Sequence, residues 1–230
     1  LLPDIAFDLQ LEHGRCVGVR LPDEEETINA LAEAALVSQE KAFAATLTVL
    51  RRRTWVGGRV AMRQALARSG HDAPPMLADA RGAPLLPSAL AGSISHKEKL
   101  AVALVAKAAP ETRLGVDIEV DAPSAHDIAS RVLTDEEAAE LAALGPETRG
   151  REVVLRFSAK EAIYKALDPF VLRYVDFKEV AVTPLPGGGA DVRAQLRQQQ
   201  GFLIEVAWRR WEAFVLTTAR VTRLVSTDTT

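Results

Sequence analysis

The chain has 230 residues, 48% of them hydrophobic and 26% charged, which excludes a disordered, collagen-like or coiled-coil protein. Its net charge of −3 gives no global positive field toward nucleic acid or a membrane surface. The single cysteine, Cys16, excludes an intrachain disulfide framework and suits a reducing compartment, and the four histidines lack the thiolate partners of a zinc finger. The length admits one large domain or two small ones, with core enough to fold without disulfides.

Residues 1–22 read as short extended pieces, with Leu9, Leu11, Val17 and Val19 alternating with polar or small neighbours. Glu24 to Lys41 has helical spacing, and a second helix runs from about Thr46 to Arg68. That helix carries Arg51, Arg52, Arg53, Arg59 and Arg63, together with a Gly57-Gly58 pair. Each of these glycines costs about 1 kcal/mol in a helix interior, so the pair implies a close packing contact. Gly70 to Gly92, with four prolines, reads as a connection or covering flap.

Ser93 to His96 and Leu100 to Ala106 read as strands, and Leu114 to Val120 as a third. Thr134 and Glu137 form a capping box that opens a helix through Leu144, stopped by Gly145-Pro146. A further helix spans about Arg149 to Leu167 and ends before Pro169. Strands follow at Phe177 to Val182, Asp191 to Leu196, Phe202 to Trp208 and Ala213 to Val221, with Pro184 to Gly189 as a turn. Val49-Leu50-Arg51 and Val154-Leu155-Arg156 form a short echo, each in a helix that precedes an apolar strand, which suggests two similar α+β halves meeting near residue 110. No stretch reaches the roughly 18 apolar residues of a membrane span. The N-terminal residues carry no basic or apolar leader pattern, and the expected location is the cytoplasm.

The chemistry concentrates in a few segments. In the strand Gly115-Val116-Asp117-Ile118-Glu119-Val120, alternation sends Asp117 and Glu119 to one face. Two adjacent carboxylates repel unless one is protonated or a cation lies between them, and oxygen ligands of this kind suit Mg²⁺. A solvated acidic face on an edge strand fits the pair equally well. On the helix containing Phe157-Ser158-Ala159-Lys160-Glu161-Ala162-Ile163-Tyr164-Lys165, residues Ser158, Glu161, Ala162 and Lys165 share a face. Glu161 and Lys165 alone would read as an ordinary surface pair. His96 directly follows a short strand. Arg52, Arg59 and Arg63 line one helix face, a geometry suited to phosphate oxygens or simply to solvent. No Gly-rich phosphate loop of the Walker or dinucleotide type occurs.

In order and spacing, Ser-x-Ser-His, then Gly-Val-Asp-Ile-Glu 19 residues after His96, then Phe-Ser-Ala-Lys-Glu-Ala-Ile-Tyr-Lys-Ala, resemble the 4'-phosphopantetheinyl transferases of the Sfp/EntD type. The resemblance implies an α+β fold of two pseudo-symmetric halves, residues 1–110 and 111–230, with the active site between them. It implies Mg²⁺-dependent transfer (Mn²⁺ as an alternative) of the phosphopantetheine arm from coenzyme A to a serine of acyl or peptidyl carrier domains, releasing 3',5'-ADP. The carriers would belong to polyketide, nonribosomal peptide or siderophore synthases, and the enzyme would act as a monomer. Asp117, Glu119 and Glu161 match the family's metal carboxylates, Lys165 its pyrophosphate lysine, and Glu161 also its candidate base. Ser95 and His96 match contacts to coenzyme A phosphates, and Arg53 the arginine near the 3'-phosphate, with Arg52, Arg59 or Lys41 as helpers. The family's Gly-Lys/Arg-Pro element is altered: Gly82-Ala83-Pro84 lacks the basic residue, and Arg81 stands two residues before Ala83. The competing readings are a Mg²⁺-dependent nucleotide phosphohydrolase and a non-catalytic carrier-binding module.

Overall fold

The computed structural model describes residues 2–124, 126–196 and 201–224. The chain forms two compact units, Leu1–Ala108 and Ala109–Thr230. Among the described residues no helix is long and apolar enough to cross a membrane.

In the first unit, β1 (Asp4–Leu11), β2 (Gly14–Arg20), β3 (Leu90–Lys97) and β4 (Leu100–Lys107) make an antiparallel sheet in the order β1-β2-β4-β3. Three helices, α1 (Glu25–Ala35), α2 (Ser38–Ala45) and α3 (Val49–Arg68), cover one face. Val17, Val19, Val56, Val60, Met62, Leu66 and Ala103 form the core between the sheet and α3. A Cβ at Gly57 would strike Leu21 and Ala101, and one at Gly58 would strike Ile94, so the glycine pair lets α3 lie close on the sheet.

The single helix expected over 24–41 is two helices, broken where Leu36 and Val37 are extended. The break places Glu40, fully buried, where its Oε2 accepts from the Val37 N–H (3.2 Å) and from Arg63 Nη2 (2.7 Å). Its Oε1 accepts from the Met76 N–H at 2.8 Å. A straight helix would leave that carboxylate on a different face.

In the second unit, β5 (Thr112–Val120), β8 (Phe202–Trp211) and β9 (Phe214–Arg223) form an antiparallel sheet in the order β5-β9-β8. A hairpin of β6 (Val180–Pro184) and β7 (Ala190–Ala194) is attached to β8 through a Gly189–Ala207 bridge. Two short helices, α4 (Ala129–Val132) and α5 (Asp135–Glu140), precede the long α6 (Pro146–Val171), which packs on the sheet through Ala159, Ala162, Ile163 and Ala166.

The capping box is present, with Glu137 N donating to Thr134 Oγ1 at 3.2 Å, but α5 ends at Glu140. Gly145-Pro146 starts α6, with Gly145 as N-cap and Pro146 at the first helical position, where its missing N–H has no helical acceptor to serve. At the other end α6 continues through Pro169 to Val171, and Leu172, in the left-handed conformation, closes it. Pro169 therefore removes one hydrogen bond from the last turn without breaking the helix. The strand expected from Phe177 begins instead at Val180. Asp176 Oδ1 accepts from Lys178 N and caps a 3-10 turn over Phe177–Glu179.

Candidate active site

The second unit gathers the predicted carboxylates and lysine. A Cβ on Gly115 would run into the carbonyl of Ala162, so β5 and α6 approach as closely as backbone allows. That approach sets Asp117 against the helix face of Ser158, Glu161 and Lys165. Asp117 is buried. Lys165 Nζ donates to its Oδ1 at 2.8 Å and to the Val116 carbonyl at 3.0 Å. Ser158 Oγ donates to Oδ2 at 2.9 Å. The ammonium of Lys165 is thus placed on Asp117, beyond the simple i,i+4 pairing with Glu161.

Glu161 is half-buried, and its carboxyl is held above the usual range. Desolvation is the largest cause, followed by repulsion from Asp117, and Glu119 adds to it while Lys165 opposes it. Glu119 therefore faces the same region as Asp117, as the strand alternation requires.

Among the described residues, no three His, Cys, Asp or Glu side chains form a ready-made metal cage. The donor set nevertheless fits Mg²⁺: every candidate ligand is a carboxylate oxygen, and this ion needs only one or two protein carboxylates beside water and phosphate oxygens. Burial first, and then repulsion from Asp117, raise the Glu161 carboxyl, and a cation at the site would relieve that repulsion.

In the first unit, Arg53 lies 3.3 Å from Asp23 Oδ1, and its Nε and Nη2 are buried without a hydrogen-bond partner. Arg52 is fully engaged as a clasp: Nε donates to the Ala44 carbonyl, Nη2 to the Leu47 carbonyl, and Nη1 to Glu25 and Asn29, at 3.1–3.2 Å. Lys41 Nζ is 2.7 Å from Glu33 Oε2. Arg59 is buried, donates to the Met76 carbonyl and stacks on Trp55. Arg63 donates to Glu40 and to the carbonyls of Ala73 and Pro74. Arg59 and Arg63 therefore fasten the 73–76 segment to α3. Arg81 sits in an exposed turn where its N–H donates to Asp79. Ser95 and His96 lie on β3, which is longer than expected, and alternation puts Ser95 on its buried side and His96 on its exposed side.

Sequence reasoning did not find Thr217. It stands opposite Asp117 in the β5–β9 register, is fully buried, and its Oγ1 lies 2.8 Å from Ser158 Oγ. Only the strand pairing brings residues 100 positions apart together, and no local pattern signals it.

Comparison with known proteins gives one family for both units. The 4'-phosphopantetheinyl transferase N-terminal domain matches residues 38–106, and the 4'-phosphopantetheinyl transferase superfamily matches residues 113–219. The 4'-phosphopantetheinyl transferase Svp of Streptomyces mobaraensis is 32% identical over 197 residues, covering 81% of this chain and 78% of that protein. Enterobactin synthase component D of Salmonella typhi is 36% identical over 113 residues, 48% of this chain and 46% of that one. A holo-(acyl-carrier-protein) synthase from Bacillus anthracis, solved with CoA (3',5'-ADP), aligns with 47% of this chain and 94% of its own, at 20% identity and a TM-score of 0.38.

Proposed function

The chain belongs to the 4'-phosphopantetheinyl transferase superfamily, Sfp/EntD type, and is a transferase acting on carrier proteins; from that premise we propose that it moves the arm of coenzyme A in a Mg²⁺-dependent reaction that releases 3',5'-ADP. The acceptors are serines in carrier domains of polyketide, nonribosomal peptide or siderophore synthases. The observation that carries the reading is the buried Asp117, bonded at once by Lys165 and Ser158 and flanked by the raised carboxyl of Glu161.

In the reaction the serine oxygen forms a bond to the phosphorus bearing the arm, and the bond from that phosphorus to the 3',5'-ADP oxygen breaks. Such transfers rest mainly on positioning and charge stabilisation. Asp117, Glu119 and Glu161 would hold the divalent cation. A cation bound there supplies Lewis-acid charge neutralisation to the pyrophosphate. Lys165 provides a positive charge for the same oxygens. Glu161 takes the serine proton. In the first unit Arg53, whose Nε and Nη2 have no protein hydrogen-bond partner, is the candidate for the coenzyme's 3'-phosphate. Lys41, Arg52, Arg81, Ser95 and His96 are supporting candidates. Arg52 contributes by holding the first turn of α3 in place.

The test is release of 3',5'-ADP from coenzyme A, followed chromatographically. Release requires a carrier with an intact serine, stops on chelation of divalent cations, and is lost in Asp117→Ala with the fold preserved by circular dichroism. Full activity of Asp117→Ala at saturating Mg²⁺ would refute the metal assignment.

A further inference from the structure

Lys165 bonds Oδ1 of Asp117, and at Oδ2 stands a pair of hydroxyls. Ser158 and Thr217 are fully buried. Ser158 Oγ donates to Asp117 Oδ2 at 2.9 Å. The two hydroxyl oxygens are 2.8 Å apart, and either can donate to the other. Thr217 Oγ1 also donates to the Ser158 carbonyl at 2.9 Å. Each hydroxyl has one hydrogen and can accept as well as donate.

With the Thr217 hydrogen on the Ser158 carbonyl, hydrogen accounting allows two complete arrangements. In the first, Ser158 gives its hydrogen to Asp117 Oδ2, and Thr217 gives its hydrogen to the Ser158 carbonyl. In the second, Ser158 turns its hydrogen to Thr217 Oγ1, while Thr217 keeps its bond to the carbonyl. Both place each hydroxyl hydrogen on an acceptor, so passing between them leaves no buried donor unsatisfied. That matters because a stranded buried donor carries the full desolvation penalty of the group. In the second arrangement Oδ2 is relieved of the hydroxyl.

We propose that Ser158 and Thr217 form a two-position hydrogen-bond relay: it orients the Asp117 carboxylate without a cation and releases Oδ2 to a divalent cation when one binds. Thr217 is the positioning residue of the relay, because it supplies the second acceptor for the Ser158 hydrogen. The inference rests on the metal assignment of Asp117 made above.

The experiment titrates Mn²⁺ into the intact enzyme with saturating coenzyme A and no carrier, so nothing turns over, and reads free Mn²⁺ by electron paramagnetic resonance. Thr217→Val removes the second acceptor and weakens Mn²⁺ binding about five- to tenfold, the factor one net hydrogen bond is worth. Thr217→Ser restores wild-type affinity. Ser158→Ala removes the competing donor, and the Thr217 hydrogen keeps its carbonyl, so this variant binds Mn²⁺ no more weakly than wild type. A purely structural role would weaken Thr217→Val and Ser158→Ala alike. Wild-type affinity in Thr217→Val, or a loss in Ser158→Ala equal to that expected of Thr217→Val, overturns the relay. If Thr217→Val does not fold, Ser158→Ala and Thr217→Ser decide the question by the same criteria. Asp117→Ala is the control: Mn²⁺ binding as tight as wild type there overturns the metal assignment itself, and the relay with it.

Discussion

Glu161 sits in the field of Asp117 and Glu119, and burial raises its carboxyl above the ordinary 4.5. The folded protein therefore still holds this proton at pH values where the unfolded chain has released it. Stability from the protonated form is fully present below about the ordinary value and is lost as pH rises through the folded pKa. Glu161→Gln removes that loss. Without divalent cations, its melting temperature should exceed wild type at pH 7, and the difference should vanish as pH falls toward 4. Transfer activity should be lost in the same variant. Thermal scans across that pH range check the sign; a variant less stable than wild type at pH 7 would contradict it. The spacing of Asp117, Glu119, Glu161 and Lys165 was readable because chemistry-bearing residues on a strand and a helix face keep fixed periodicities. The arginines were not separable by the same means. A basic helix face looks alike whether its donors meet phosphate or, as with Arg52, Arg59 and Arg63, the protein's own carbonyls and carboxylates.

At the scale of elements, two contacts set α6 against its neighbours. Gly115 lets the helix approach β5, and because the atom a Cβ would strike is a backbone carbonyl, no side-chain rotation relieves it. Gly115→Ala should cost about 1–3 kcal/mol in urea denaturation, as overpacking does, and should lower activity further by moving Ser158 and Lys165 off Asp117. The second contact is the buried pair of Lys160 with Glu137. Lys160 Nζ lies 2.6 Å from Glu137 Oε2 and donates to the Val132 carbonyl, while Glu137 also accepts from Thr134 N and Val182 N. Glu137→Ala leaves the lysine charge buried and should cost about 3–5 kcal/mol by the same measurement. A loss under 1 kcal/mol would show that the pair does not fasten α6. The sequence disclosed the capping function of Glu137 through its spacing from Thr134, but the Lys160 partnership depends on how α5 folds back on α6. The break between α1 and α2 was hidden for a like reason: apolar spacing continues across it, and only the burial of Glu40 against Arg63 and Met76 requires the chain to turn.

For the whole molecule, each unit is a long helix laid on an antiparallel sheet, α3 in the first and α6 in the second, with a core of its own. The α+β class followed from helical and strand periodicities, and the family from the order and spacing of the Ser-x-Ser-His, Gly-Val-Asp-Ile-Glu and Phe-Ser-Ala-Lys-Glu motifs. The β6–β7 hairpin was legible from its Pro184–Gly189 turn, and only its start was misplaced, since turn chemistry at Asp176 competes with strand propensity; the short α4 was not read. A net charge of −3 conceals segregation: carboxylates gather around Asp117, while arginines concentrate in α3.

Transfer of the coenzyme A arm to a carrier serine can be read from the intact mass of a carrier domain after incubation with the enzyme, coenzyme A and Mg²⁺. The carrier should gain about 340 Da, the mass of the arm joined to a serine oxygen, and nothing when that serine is alanine. Consumption of coenzyme A with no gain in carrier mass, across a panel of carrier domains, would contradict it and mark the same carboxylates as serving hydrolysis.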